Sequence, residues 1–226
     1  MHIPDIIIAV DGYSSTGKSS FAKSIAREFS FQFLDSGALY RAVTLFAMEN
    51  GFIDNDCRID AEALDSALDG LDIHFGDEGT YIGDRCVESQ IRSLEVADKV
   101  SPIAAVPQVR VFVDRKLREL GSRKRVVMDG RDIGTTVFPD AELKLFMTAD
   151  PMVRAQRRAA EMKAKGIDVS IEDVLKNLQE RDYIDSHRET SPLTQAADAI
   201  VLDNSDMTPQ EQMEWLKELL SKRFGC

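Results

Sequence analysis

Ile6-Ile7-Ile8-Ala9-Val10-Asp11-Gly12-Tyr13-Ser14-Ser15-Thr16-Gly17-Lys18-Ser19-Ser20 is the stretch on which the fold turns. Its first five residues form a short apolar run, the pattern of a strand buried on both faces. Asp11-Gly12 ends the run, and a helical pattern begins near Lys18. Between strand and helix, Gly12 to Ser19 satisfies G-x-x-x-x-G-K-[ST] in the structural context that the motif requires. The glycines let backbone N–H groups turn inward around a β-phosphate, and the helix N-terminus adds partial positive charge. Lys18 then reaches the β- and γ-oxygens, and Ser19 can ligate Mg²⁺. A chance glycine-rich turn would not need that flanking strand and helix. The stretch therefore predicts a nucleoside triphosphate site formed by Gly12, Tyr13, Ser14, Ser15, Thr16, Gly17, Lys18, Ser19 and Ser20.

Further along, Phe31 to Leu34, Arg125 to Met128, Leu143 to Met147 and Ala199 to Leu202 repeat the short apolar pattern, most of them ending at an aspartate. Five such strands alternating with helices predict a parallel α/β sheet, the three-layer P-loop fold. Helix starts are legible at Asp150-Pro151, at Ser170 with Asp173, and at Thr208-Pro209-Gln210-Glu211, which has the form of a capping box. Trp215, Leu216, Leu219 and Leu220 give the last helix an apolar packing face. Between about Asp60 and Val106 the rhythm changes. Leu71 to Phe75, Thr80 to Ile82 and Arg85 to Val87 are separated by turn residues and predict a small antiparallel meander. The expected division is a core of 1–59 and 107–226 with an insertion of 60–106 that could cover a ligand.

Composition narrows the function. With 28 Lys and Arg against 39 Asp and Glu in 226 residues, the net charge is -11, so no general basic surface exists for nucleic acid. A hydrophobic share of 43% suffices for a core, and no apolar run approaches the roughly 20 residues of a membrane span. A cytoplasmic protein is expected. Cys57, Cys86 and Cys226 fit neither a disulfide framework nor a zinc site. His2, His74 and His187 lack ligand spacing and are expected to be surface or packing residues.

Asp129 ends a buried strand, the usual place of a Mg²⁺-holding acid in this fold, and Asp35 competes for the role. Either could instead cap the next helix or pair with an arginine. A hydroxyl acceptor usually needs a base, whereas a phosphate monoester is already largely dianionic at neutral pH. A kinase acting on phosphate needs cations instead. Arg41, Arg110, Arg131, the group Arg154, Arg157 and Arg158, and the pair Arg181 and Arg188 are the candidates. Arg154, Arg157 and Arg158 share a helix face, as do Arg181, Asp185 and Arg188. Ordinary surface ion pairs would produce similar spacings, but arginines gathered at strand ends of an acidic chain with a P-loop read better as anion clamps.

Gly12 to Ser19, Asp35-Ser36-Gly37-Ala38-Leu39-Tyr40-Arg41, Asp129-Gly130-Arg131-Asp132-Ile133-Gly134-Thr135 and Arg181-Asp182-Tyr183-Ile184-Asp185-Ser186-His187-Arg188 together resemble the bacterial cytidylate kinases along essentially the whole chain. The resemblance implies a P-loop nucleoside monophosphate kinase whose inserted domain binds the monophosphate. Its cofactors would be ATP and Mg²⁺, its partners ATP, CMP and dCMP, and it would work as a monomer away from nucleic acid and membranes. It implies that Arg41, Arg131 and Arg188 hold the acceptor phosphate, that Ser101, Arg110 and Asp132 read cytosine, and that Ser36, Arg181 and Asp185 meet the sugar. Tyr40 would join the CMP-binding set. Lys18, Arg131, Arg157, Arg158 and Arg188 would stabilise the transferring group, with Arg157 and Arg158 in a lid spanning about 154–188. Ser19, Asp35 and Asp129 would serve Mg²⁺. Tyr13, Ser19 and Ser20 depart from the family's usual loop without altering phosphate chemistry. A kinase of a hydroxyl-bearing metabolite such as shikimate is disfavoured by the many acceptor-side arginines. A GTP-hydrolysing switch is disfavoured by the lack of an N-K-x-D motif.

Overall fold

A computed structural model describes residues 3–164 and 166–225; His2 and Cys226 lie outside the described residues. The first half of the chain forms β1 (Ile7–Gly12), α1 (Lys18–Phe29), β2 (Gln32–Asp35), α2 (Ser36–Glu49), α3 (Ala61–Leu68), β3 (Ile73–Gly76), β4 (Gly79–Ile82), β5 (Arg85–Cys86) and α4 (Leu94–Ala105). The second half forms α5 (Pro107–Gly121), β6 (Val126–Asp129), β7 (Leu143–Thr148), α6 (Pro151–Ala164), α7 (Ile171–His187), β8 (Ile200–Asp203) and α8 (Pro209–Phe224). These elements divide into two compact units. One comprises Met1–Leu34, Leu120–His187 and Ser191–Cys226, the other Asp35–Glu119 and Arg188–Thr190. The second unit contains the 60–106 insertion and extends beyond it on both sides.

The first unit is built on the expected five-stranded sheet, in the order β2-β6-β1-β7-β8. β1 is buried along its whole length because it runs parallel between β6 and β7, with Val10 opposite Asp129 and Gly12 opposite Met147. A strand with neighbours on both sides and helices over both faces has no room for polar alternation, which is why its sequence reads as an unbroken apolar run. Ile8, Val10, Phe21, Ile25, Val127, Leu145, Leu202, Leu216 and Leu220 form the core between sheet and helices, with Trp215 and Leu219 packed at its margin. The helix starts obey their sequence signals. Asp150 accepts from the N–H groups of Met152 and Val153 at 2.8 and 3.3 Å, Ser170 accepts from Asp173 N–H at 3.0 Å, and Thr208 with Glu211 closes a complete capping box. No helix among the described residues is long and apolar enough to cross a membrane.

In the second unit β3, β4 and β5 form the antiparallel meander, and Asp35 starts α2 by accepting the Ala38 N–H at 3.0 Å. Cys57 and Cys86 are free thiols. His74 stacks on Tyr81 and, in the other unit, His187 stacks on Tyr183, the packing roles expected of them.

Candidate active site

In an open parallel sheet the C-terminal ends of the strands carry the ligand crevice, and β1 delivers its loop there. Gly12 has φ 142°, and a Cβ at that position would stand 2.0 Å from the carbonyl oxygen of Met147 on β7. Only glycine can therefore leave the sheet here. Gly17, at φ 86°, precedes α1 without any side-chain cap, so the first N–H groups of that helix face the loop as an anion site. Lys18 is 5% exposed and donates to the Tyr13 carbonyl, with Thr16 Oγ1 at 3.4 Å. Burial, followed by the nearby Arg131, pushes its pKa well below the ordinary lysine value. Beside it, Ser19 donates to Asp129 Oδ2 at 2.5 Å.

Two arginines converge on the loop from the same unit. Arg131 donates to Ser14 Oγ at 3.0 Å and to Asp185 Oδ2 at 2.8 Å. Burial opposes its charge, but the carboxylates of Asp185, Asp182 and Asp129 together outweigh that and hold its pKa above the ordinary value. Arg154 donates to the Ser14 carbonyl at 3.1 Å and to Asp182 Oδ2 at 2.5 Å, while Asp182 Oδ1 accepts the Ser14 N–H at 3.1 Å. The Arg154 guanidinium also lies 5.4 Å from the centroid of the Tyr13 ring. Nearby Arg181 has a pKa lowered to about 10, first by burial and then by Arg131, and its Nε finds no hydrogen-bond partner among the described residues. Asp185 and Asp182 offset only part of that cost, and a bound anion would offset more of it.

The pair expected in the lid is placed differently from its neighbours. Arg157 donates to the side-chain oxygen and the carbonyl of Asn204 at 3.0 and 2.8 Å, and Asn204 in turn donates to the Thr16 carbonyl at 2.8 Å. Arg158 pairs with Glu161 at 3.0 Å, the acid whose spacing also suited Arg157.

Asp132 is 3% exposed and leads into a π-helical turn at Ile133–Val137. Asp11 fixes that turn by accepting the N–H groups of Ile133 and Gly134 at 2.8 and 2.7 Å. Burial raises the Asp11 pKa to about 6 despite those two donors, and Asp132 adds to the rise.

The second unit carries the remaining candidates. Arg110, 1% exposed on α5, lies 5.3 Å from the centroid of the Tyr40 ring and 3.8 Å from Asp114, to which Tyr40 also donates at 3.3 Å. Ser101 on α4 is buried, as are Ser36 and Arg188. Arg41 reaches the Ile91 carbonyl at 3.4 Å. Asp35 uses one carboxylate oxygen to cap α2 and the other to bind Arg92 at 2.7 Å; Arg92 continues to Glu88, which holds Thr80 of the meander. Both non-metal roles open to Asp35 are therefore realised.

Sequence reasoning named Arg154 only as one of a group of anion-clamp candidates and missed Asp11, Asp114, Asp182 and Asn204. Each works through a partner far away in the chain. Their available signals were position alone: Asp11 precedes the first glycine, Asp182 follows Arg181, and Asn204 follows the end of β8.

The family model for cytidylate kinase matches residues 8–222. A cytidylate kinase of Parabacteroides distasonis is 53% identical over 226 residues, covering 97% of this chain and 98% of that protein. One from Bacteroides thetaiotaomicron is 51% identical over 223 residues, covering 96% of this chain and 97% of that protein. Among solved structures, a gluconokinase from Sinorhizobium meliloti 1021 is similar with a TM-score of 0.50 at 16% identity, covering 98% of this chain and 94% of that one. The last likeness concerns the fold alone.

Proposed function

The chain belongs to the cytidylate kinase family of nucleoside monophosphate kinases, and we propose that it transfers the γ-phosphoryl group of ATP directly to CMP or dCMP, giving CDP or dCDP. The observation that carries this reading is the convergence of Lys18, Arg131 and Arg154 on the Tyr13–Ser14 segment of the loop. Cations focused on one point are what a transferring phosphoryl group needs, because its transition state is stabilised by electrostatics rather than by a base. The acceptor phosphate supplies its own nucleophilic oxygen.

Gly12 to Ser20 would hold the ATP phosphates, through backbone N–H groups and Lys18. The hard oxygen donors Ser19 and Asp129, 2.5 Å apart, suit Mg²⁺, which is commonly held by one or two protein oxygens together with phosphate. They would hold the ion, with Asp35 engaged elsewhere, and the ion would supply charge neutralisation on the donor phosphates. Arg41, Arg131 and Arg188 would hold the acceptor phosphate, and Ser36, Tyr40, Arg181 and Asp185 the rest of the nucleotide. Arg157 and Arg158 would meet ATP by exchanging their present partners, Asn204 and Glu161. Cytosine offers an amino donor beside a ring-nitrogen and carbonyl acceptor pair, so a carboxylate with an arginine suits it, whereas uracil would leave the carboxylate unpaired. Asp132, Arg110 and Ser101 are buried, and burial is what makes such a mismatch costly. We take the enzyme to act as a monomer in the cytoplasm, where its nucleotides are found.

A coupled ADP-release assay with CMP, dCMP, UMP, AMP and GMP tests the proposal. Activity should be greatest with CMP or dCMP. Turnover of AMP or GMP without CMP would remove the cytosine reading and leave a kinase.

A further inference from the structure

The Tyr13–Ser14 peptide is held from both sides by charged groups. Lys18 binds its carbonyl oxygen, and Asp182 Oδ1 takes its N–H at 3.1 Å. The second oxygen of Asp182 binds Arg154 at 2.5 Å, and that same guanidinium nitrogen donates to the Ser14 carbonyl at 3.1 Å. Asp182 and Arg154 are both largely buried, their side chains 13% and 7% exposed. A carboxylate that joins a loop N–H to an arginine makes the contacts expected of a phosphoryl group, which also presents anionic oxygens to backbone donors and guanidinium forks. In this motif the lysine reaches the β- and γ-oxygens, so a peptide touching Lys18 stands at the γ end of a triphosphate.

We propose that Asp182 is an internal stand-in for the γ-phosphoryl group: it occupies the Ser14 N–H and Arg154, and ATP gains both donors only by displacing it. The inference rests on the reading that this loop binds ATP. It makes Asp182 a positioning residue that sets how tightly the donor is held. Arg154, which the sequence offered only as one of several anion clamps, becomes a γ-phosphate ligand once Asp182 has moved. α7 is the natural carrier of such a brake. Asp185 holds Arg131 one helical turn away, so displacing the Asp182 stretch of α7 also disturbs the other arginine that touches Ser14.

The test is calorimetric binding of ATP and of ADP, each with Mg²⁺, to the full chain and to its Asp182→Asn variant. Removing a competing charged hydrogen bond should tighten ATP by on the order of tenfold and alter ADP by less than about twofold. Acceptor-independent ATP hydrolysis should rise as well. A purely structural Asp182 would give the opposite sign, because its loss would leave Arg154 poorly held. Asp182→Asn binding ATP no more tightly than the parent overturns the inference alone, whereas no ATP binding by either protein overturns the kinase reading with it. If the variant folds poorly, the carboxyl-carbon NMR resonance of Asp182 in the parent chain decides. It should shift with a non-hydrolysable ATP analogue and not with ADP, and a resonance unmoved by both contradicts the proposal.

Discussion

In the sheet-bearing unit Arg131 and Arg154 both end on Ser14; in the other unit Arg41, Arg92 and Arg110 end on Ile91, Asp35 and Asp114, each with its own anchor. The first arrangement focuses charge on one point, and the second divides it among separate anchors, with Arg110 and Asp114 buried. Backbone geometry supports the first: Gly12 and Gly17 shape a loop whose N–H groups do the binding. Side-chain chemistry supports the second, through the cluster of Tyr40, Arg110 and Asp114. A phosphate binder can be built from backbone and read from a short motif, whereas recognition of a particular base needs side chains assembled from distant parts of the chain.

The contrast can be broken most severely at Lys18. Lys18→Ala should lower kcat by about 10³-fold, by the measure of losing one electrostatic contact to the transition state. The loss should be the same with CMP and UMP, measured by ADP release, because the loop does not read the base. A loss that depended on the acceptor would blur the distinction between the two regions.

Asp11 offers a smaller effect, of defined sign. Its folded-state pKa of about 6 lies above its ordinary value of 3.8, so the folded chain holds this proton more tightly than the unfolded chain does. The stabilisation is complete below about pH 4 and is lost as pH rises through about 6. Chemical denaturation of the parent relative to Asp11→Asn should show a decline of up to about 3 kcal/mol across that window. A flat difference would mean that the hydrogen bonds from Ile133 and Gly134 fully offset the burial of the Asp11 carboxylate. The smallest effect belongs to Thr208→Ala. It removes an exposed capping box at the start of α8 and should cost about 1 kcal/mol of unfolding free energy while leaving kcat/KM unchanged.

Much of the sheet-bearing unit was legible because its signals are local. An apolar run, a glycine motif and capping residues each lie within a few positions, and the resulting strand, loop and helices stand where those signals put them. The meander was legible for the same reason, from turn residues between β3, β4 and β5. What escaped depends on separation in the chain. Asp11 binds Ile133 and Gly134 more than a hundred residues away, and no spacing rule predicts the π-helical turn that results. Asp182 meets Arg154 across 28 positions, so neither helix reveals the pairing by itself. Spacing offers Glu161 to Arg157 at i+4, but the pairing falls to Arg158 at i+3, since both positions lie on one helix face and Asn204 takes Arg157.

The most direct test of the account is the ratio of kcat/KM for CMP to that for UMP in the parent and in Asp132→Ala. The account expects the variant to lose about 100-fold with CMP and little with UMP, since only cytosine presents the amino group that the carboxylate accepts. Equal losses with the two nucleotides would contradict it.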